Sequence, residues 1–200
     1  TEGLYPPGST FKVVTAAAGI ESGIVEPDTV FEDNGSLEID GHVILEANRP
    51  DETITQWTLT EGFAYSLNVV FAQVGLQIGR HVLEERAEAF GIGETIPFDE
   101  PVSAGQIASD NDFLDSQAAL ADTAFGQGEL LVTPLHMALV ASAVANGGAV
   151  MRPFLVASLR DQGGETVSST QPRKLHDAID EQTANIMQGL MVDAVEWGYA

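Results

Sequence analysis

The 200 residues carry 30 acidic and 8 basic side chains, a net charge of −22, and no cysteine. That balance disfavours a nucleic-acid partner held by a basic surface, and the lack of thiols excludes disulfides, thiolate metal sites and cysteine nucleophiles. A chain of this length can bury a sizeable core as about one domain, and no stretch approaches the roughly 18 continuous apolar residues of a membrane span.

The first element is announced by Tyr5-Pro6-Pro7-Gly8, which stops the chain before an alanine- and valine-rich run. That run predicts a buried helix ending near Gly19 or Gly23. Ser9 falls at or near its start, with Lys12 three residues on, and such a spacing places both on one face. A serine is a poor nucleophile until something takes its proton, and a lysine can do so when burial or a nearby cation lowers its pKa. The plain alternative is an N-cap serine followed by a solvated lysine. With 11 serines and 2 lysines in the chain, the spacing alone does not decide. Lys12 nevertheless stands in the least charged part of the N-terminal region.

Residues 24–56 alternate short apolar runs with turn signals, Asn34-Gly35 and Asp40-Gly41, and predict short strands joined by hairpin turns. His42, beside such a turn, is expected on the surface. Thr58 and Glu61 have capping-box spacing and open a short helix that breaks near Tyr65-Ser66-Leu67-Asn68. An apolar run follows over 69–76, then a helix over about 81–90 stopped by Gly91. Residues 92–115 read as irregular. Thr133 and Pro134 fit the N-cap and first-turn positions of a helix running to Asn146-Gly147-Gly148, with Leu135, Leu139, Ser142 and Ala143 on its apolar face. Residues 150–159 and 166–168 read as a hairpin about Asp161-Gln162-Gly163-Gly164. A last amphipathic helix spans 180–195, with Ile186, Leu190 and Val195 on one side.

Ser66-x-Asn68, lying between two helices, reads by itself as ordinary capping. Taken together, however, the motifs resemble a family. Tyr5-Pro6-Pro7-Gly8-Ser9-Thr10-Phe11-Lys12 resembles the active-serine motif of penicillin-binding transpeptidases. Tyr65-Ser66-Leu67-Asn68-Val69-Val70-Phe71 resembles their second motif, which accompanies Ser-x-x-Lys in serine acyltransferases. Phe125-Gly126-Gln127-Gly128, Val132-Thr133-Pro134-Leu135 and Ala145-Asn146-Gly147-Gly148 follow in the family's order, so the resemblance covers essentially the whole chain. Class D β-lactamases share Ser-Thr-Phe-Lys but lack the stretch from Gly-Gln-Gly to Thr-Pro-Leu. The family's third motif, Lys-Thr-Gly, does not occur, and Lys174 in Pro172-Arg173-Lys174-Leu175-His176 cannot stand for it.

The resemblance implies an α+β fold: the predominantly helical part of the β-lactamase/transpeptidase-like fold, with most of the central antiparallel sheet missing. Residues 1–200 would form a single partial transpeptidase domain, cut from both sides. It also implies acyl transfer on peptidoglycan stem peptides, with Ser9 as nucleophile, Lys12 as its base, Ser66 as proton shuttle and Asn68 as hydrogen-bond partner. β-Lactams would acylate Ser9, no cofactor is needed, and no nucleic acid is involved. The parent protein is expected to be membrane-anchored on the extracytoplasmic face and partnered with cell-wall machinery. An apolar surface left where the sheet should sit would favour association between copies. The rivals are a non-catalytic β-lactam sensor or binding scaffold of the same fold, an inactive fragment, and a class D β-lactamase.

Overall fold

A computed structural model describes residues 1–110 and 112–200; Asn111, inside the stretch expected to be irregular, lies outside the described residues. At the centre is α1 (Lys12–Glu21), entered through a short 3-10 turn, Gly8–Phe11. Val14 and every residue from Thr15 to Gly19 are buried, so the helix is enclosed on all sides rather than along one stripe. Small side chains permit this. A Cβ on Gly19 would lie 2.5 Å from Val25 Cγ2, which makes Gly19 a packing position inside the helix. The helix ends instead at Ser22, followed by Gly23 at φ 67°.

Around α1 lie α2 (Leu59–Ala64), α3 (Asn68–Ala89), α4 (Gln117–Ala124), α5 (Pro134–Ala145) and α6 (Glu181–Glu196). The Thr58–Glu61 capping box forms as expected: Glu61 N–H donates to Thr58 Oγ1 at 3.2 Å and Thr58 N–H to Glu61 Oε2 at 2.8 Å. Gly79, at φ 75° and ψ 165°, kinks α3 between the apolar run and the charged helix that the sequence shows separately. α4 was not expected as a helix. It is short, and its start rests on Ser116 Oγ accepting from Ala119 N–H at 3.4 Å. It packs closely on α3, because a Cβ on Gly75 would come within 2.3 Å of Ala124 Cβ.

Two helix faces differ from expectation. On α5 the buried side is His136, Leu139, Val140, Ala143 and Val144, while Ser142 is exposed and donates to Ala138 O at 2.7 Å. On α6 the buried side is Thr183, Ala184, Met187, Leu190 and Ala194. Val195 is 68% exposed. Five residues beyond Leu190 it stands about 140° round the helix. Val192, 52% exposed, extends this open apolar side.

The strands form four two-stranded antiparallel ribbons and no larger sheet among the described residues. β1 (Val30–Glu32) pairs with β4 (Gln56–Thr58), and β2 (Ser36–Ile39) with β3 (His42–Leu45). Asp40-Gly41 is the hairpin turn expected, with φ 50° and 84°. Asn34-Gly35 is not a hairpin turn. Asp33 Oδ1 accepts from Gly35 N–H at 2.7 Å, and this local turn sends the chain into a separate ribbon. β5 (Ala149–Met151) pairs with β8 (Lys174–Asp177), whereas β6 (Ser158–Arg160) and β7 (Thr166–Ser169) make the outer hairpin. Residues 150–159, expected as one hairpin arm, contribute to two separate strands. Pro153, which cannot donate to a ladder, separates the two strands. Helices gathered on α1 with short antiparallel ribbons at the edge are the α+β class expected.

Backbone contacts fix the turn that carries Ser9. Tyr5 and Val132 exchange N–H···O bonds of 2.9 Å in both directions, and Gly8 N–H donates to Gly126 O at 3.0 Å. Gly126 sits at φ 90°, and a Cβ there would lie 1.8 Å from Gly8 O. Thr15 Oγ1 adds a buried bond of 2.6 Å to Ala124 O. At the other end, Tyr199 N–H donates to Ala64 O at 2.9 Å, and Tyr65 meets Trp57, Trp197 and Tyr199 edge-on.

Gly126→Ala and Gly91→Ala separate conformation from contact. Both glycines have φ near 90°, but nothing lies within 4 Å of a Cβ at Gly91. Gly91→Ala is expected to lose about 1–2 kcal/mol, the left-handed penalty alone. Gly126→Ala, which must also push Gly8 away, is expected to lose at least about 3 kcal/mol in urea denaturation. Equal losses would show that the close approach carries no weight.

Candidate active site

Ser9 stands exposed in the 3-10 turn and its side chain caps nothing, so the N-cap reading fails. Lys12, one turn further into the core, is only 2% exposed, so it is not a solvated helix lysine. Burying a lone amine is costly unless its hydrogen bonds are met. Here the junction between α2 and α3 meets them.

That junction has a specific form. Ser66 N–H donates to Phe63 O at 3.1 Å and Leu67 N–H to Gly62 O at 2.8 Å, the paired bonds of a Schellman helix end. The position between them requires a left-handed backbone and is usually glycine. Here it is Ser66, at φ 58°. The chain then enters α3 at once, with Asn68 as its first residue and Leu67, which has no polar side chain, at the N-cap position. Ser66 and Asn68 are thereby aimed back at α1.

The structure brings all four expected residues together on one amine. Lys12 Nζ donates to Ser66 O at 2.6 Å and to Asn68 Oδ1 at 2.8 Å, and it lies 3.0 Å from Ser66 Oγ and 3.2 Å from Ser9 Oγ. The two carbonyl oxygens can only accept. A neutral amine has two N–H bonds, which they take, and its lone pair is left to face the hydroxyls. Burial pushes the Lys12 pKa from 10.5 down to about 7, against the opposing pull of the Glu46 carboxylate. The Phe71 ring, 5.5 Å away, favours the cation as well. Such a contact is worth about 0.5–2 kcal/mol, and desolvation outweighs both influences.

The site opens into an apolar cleft of about 480 Å³, walled by Phe63, Met137, Met191, Val195 and Tyr199. Low-dielectric walls strengthen any charge that forms beside Ser9. Two neighbours were missed in the sequence. Glu46 and Asn48 lie on the loop after β3, and Asn48 Nδ2 donates to Ser66 O at 3.2 Å. The available signal was Leu67, because a helix with an apolar N-cap needs its capping group from elsewhere. His42, expected on the surface, is exposed there and pairs with Asp122 at 3.0 Å.

The depressed Lys12 pKa fixes a pH dependence of stability. Between about 7 and 10.5 the unfolded chain holds a proton that the folded chain has released, so stability rises with pH across that window. The slope is about 1.4 kcal/mol per pH unit when the proton difference is complete. Lys12→Met removes the titrating group. The urea-unfolding free energy of the unaltered chain is expected to climb relative to Lys12→Met from pH 7.5 to 9.5. A flat difference would show that Lys12 keeps its proton throughout.

Comparison with known proteins bears on the chain as a whole. A model of the penicillin binding protein transpeptidase domain family matches residues 1–200. The peptidoglycan D,D-transpeptidase PbpA of Mycolicibacterium smegmatis is 36% identical over 193 residues, covering 95% of this chain and 38% of that protein. The crystallised D,D-transpeptidase domain of a peptidoglycan glycosyltransferase from Eggerthella lenta superposes with a TM-score of 0.89 at 33% identity, over 98% of this chain and 50% of that one. Penicillin-binding protein A of Mycobacterium tuberculosis, solved as a penicillin G acyl-enzyme complex, gives a TM-score of 0.85 at 31% identity, over 98% and 45% of the two chains. The chain thus spans about two fifths of the length of the curated relatives it matches. With the family match running from the first residue to the last, this chain belongs to the penicillin binding protein transpeptidase domain family.

Proposed function

We propose that these residues are the nucleophile-bearing part of a peptidoglycan D,D-transpeptidase that cross-links stem peptides in bacterial cell-wall synthesis. The observation that carries the reading is a dry amine, able to be neutral near pH 7, 3.2 Å from an exposed serine hydroxyl. In this reading Lys12 Nζ takes the Ser9 proton as Ser9 Oγ bonds to the carbonyl carbon before the terminal D-Ala. Collapse breaks the C–N bond, and the departing amine takes its proton from the Lys12 ammonium through the Ser66 hydroxyl. The amine of a second stem then attacks the ester, Lys12 receives its proton, and Ser9 recovers its own. Asn68 holds Lys12 and the substrate amide. A β-lactam would follow the first half of this path, its ring C–N bond opening while the acyl group stays on Ser9. The reaction needs no cofactor.

Ser9 N–H, at a helix start where backbone donors lack intrahelical partners, would be one oxyanion donor. The other belongs, in the family, to the Lys-Thr-Gly strand, which is not among these residues. Loss of one such donor costs about a hundred- to a thousandfold in rate. No helix of the described residues is long and apolar enough to cross a membrane. We place the whole protein on the extracytoplasmic face through an anchor outside this stretch.

The test is labelling with a fluorescent penicillin. The 200 residues alone should label slowly, and a chain extended through Lys-Thr-Gly should label stoichiometrically at Ser9. In that longer chain Ser9→Ala should abolish labelling and Lys12→Met should slow it about a hundredfold or more. Lys12→Arg should fail as well, since a guanidinium keeps its proton at working pH. Labelling that survives Ser9→Ala, or a Lys12→Met chain as fast as the original, would refute the assignment.

A further inference from the structure

α3 begins without a cap of its own. Leu67 at its N-cap position offers no acceptor, and Asn68, which could have turned back on the helix, spends its side-chain oxygen on Lys12. The missing acceptor comes from 23 residues upstream. Glu46 Oε2 accepts from Val69 N–H at 3.0 Å. The other oxygen, Oε1, accepts from Ala47 N–H and Asn48 N–H, both at 3.0 Å, and so shapes the loop that carries Asn48. Asn48 Nδ2 in turn donates to the same Ser66 carbonyl that receives Lys12. One carboxylate thus binds the α3 side of the junction directly and reaches Ser66 through Asn48. Glu46 N–H donates to Gly35 O at 2.9 Å, which ties the loop back to the first ribbons.

We propose that Glu46 is the positioning residue of this site: it caps α3 in place of Leu67, holds Asn68 and, through Asn48, Ser66 against Lys12, and acts on that amine through its charge. The proposal rests on the reading of Lys12 as the base. A carboxylate at a helix N-terminus is stabilised by the helix dipole, so the charge has a place to stay without a cation directly upon it. Its effect on Lys12 is to favour the protonated form, which limits how far burial can depress the amine. The charged groups that share this corner are Asp33 and Arg49. Burial raises the Asp33 carboxyl and Glu46 adds to that rise, while Arg49 opposes it. Arg49 Nη1 donates to the carbonyls of Asp33, Glu52 and Ile54 and so belongs to the loop scaffold rather than to Lys12.

The chain contains only two lysines, Lys12 and the exposed Lys174. Biosynthetic labelling at lysine Cε therefore gives two resonances, one of them an internal reference. The titration of Lys12 is followed by NMR in the unaltered chain and in Glu46→Gln, Glu46→Asp and Glu46→Ala. Gln keeps an acceptor for Val69 N–H but has no charge, so the Lys12 midpoint should fall while Lys174 stays in place and Val69 N–H keeps its exchange protection. Asp retains the charge and the capping chemistry and should hold the midpoint near that of the unaltered chain. Ala should lower the midpoint and also expose Val69 N–H to exchange. An unmoved midpoint in Glu46→Gln, or an equal fall in Glu46→Asp, overturns the proposal. Because the titration needs no acylation, a midpoint shifted in Glu46→Gln supports Glu46 even where the chain extended through Lys-Thr-Gly fails to label with penicillin, the result that refutes the catalytic reading.

Discussion

The 2.6 Å bond from the Lys12 amine to the Ser66 carbonyl joins the start of the central helix to a junction 54 residues away. The rest of the site is arranged to keep that amine out of water. Its displacement from 10.5 to about 7 corresponds to a folding cost on the order of 4 kcal/mol at neutral pH. Fully burying a phenylalanine contributes about 1.5–3 kcal/mol. Lys12 therefore consumes roughly what its two buried neighbours in sequence and space, Phe11 and Phe71, supply. Against a net stability of typically 5–15 kcal/mol, this is a large local deficit.

The deficit is tolerable because the parts around Lys12 are tied by backbone bonds as well as by side chains. Tyr5 and Val132 exchange two bonds, Gly8 lies against Gly126, Ala178 N–H reaches Gly148 O at 2.8 Å, and Tyr199 N–H reaches Ala64 O. At Gly148 and Gly198 an added Cβ would fall 1.9 Å from Ile179 O and 2.2 Å from Ala64 O. Such approaches leave no room for relaxation. Tyr5 and Gly8 fix the Ser9 turn against Val132 and Gly126, Tyr199 fixes the end of α2, and the Lys12 amine joins the two.

Much of this was legible in the sequence, and what was missed has a common cause. Caps and stops are local chemistry, so Thr58–Glu61, Thr133–Pro134 and Gly91 mark element ends from a few residues each. The four candidate site residues were reached only through the family resemblance, since Ser9-x-x-Lys12 left the choice open and Ser66-x-Asn68 alone reads as capping. Partners at a distance were not legible. Asn34-Gly35 has hairpin chemistry, yet β1 finds its partner at β4, because pairing depends on what the intervening loop can reach. β5 likewise pairs with β8 across the outer hairpin. Glu46 looked like one acid among 30 until the fold set it on the end of α3.

Ser66 shows most directly how chemistry and stability compete at this site. Its position closes α2 in a left-handed conformation, which costs a residue with a Cβ about 1–2 kcal/mol and costs glycine almost nothing. Glycine there would keep both Schellman bonds and the carbonyl that Lys12 uses. It would lack the hydroxyl, which alone among Lys12's contacts besides Ser9 can both give and take a proton. Asparagine tolerates the same backbone but carries no hydroxyl to relay a proton. The backbone strain at Ser66 and the desolvation at Lys12 thus fall on two residues in direct contact, and both are borne by one junction. That junction is held by its own Schellman bonds to α2 and, from outside, by Glu46 and Asn48.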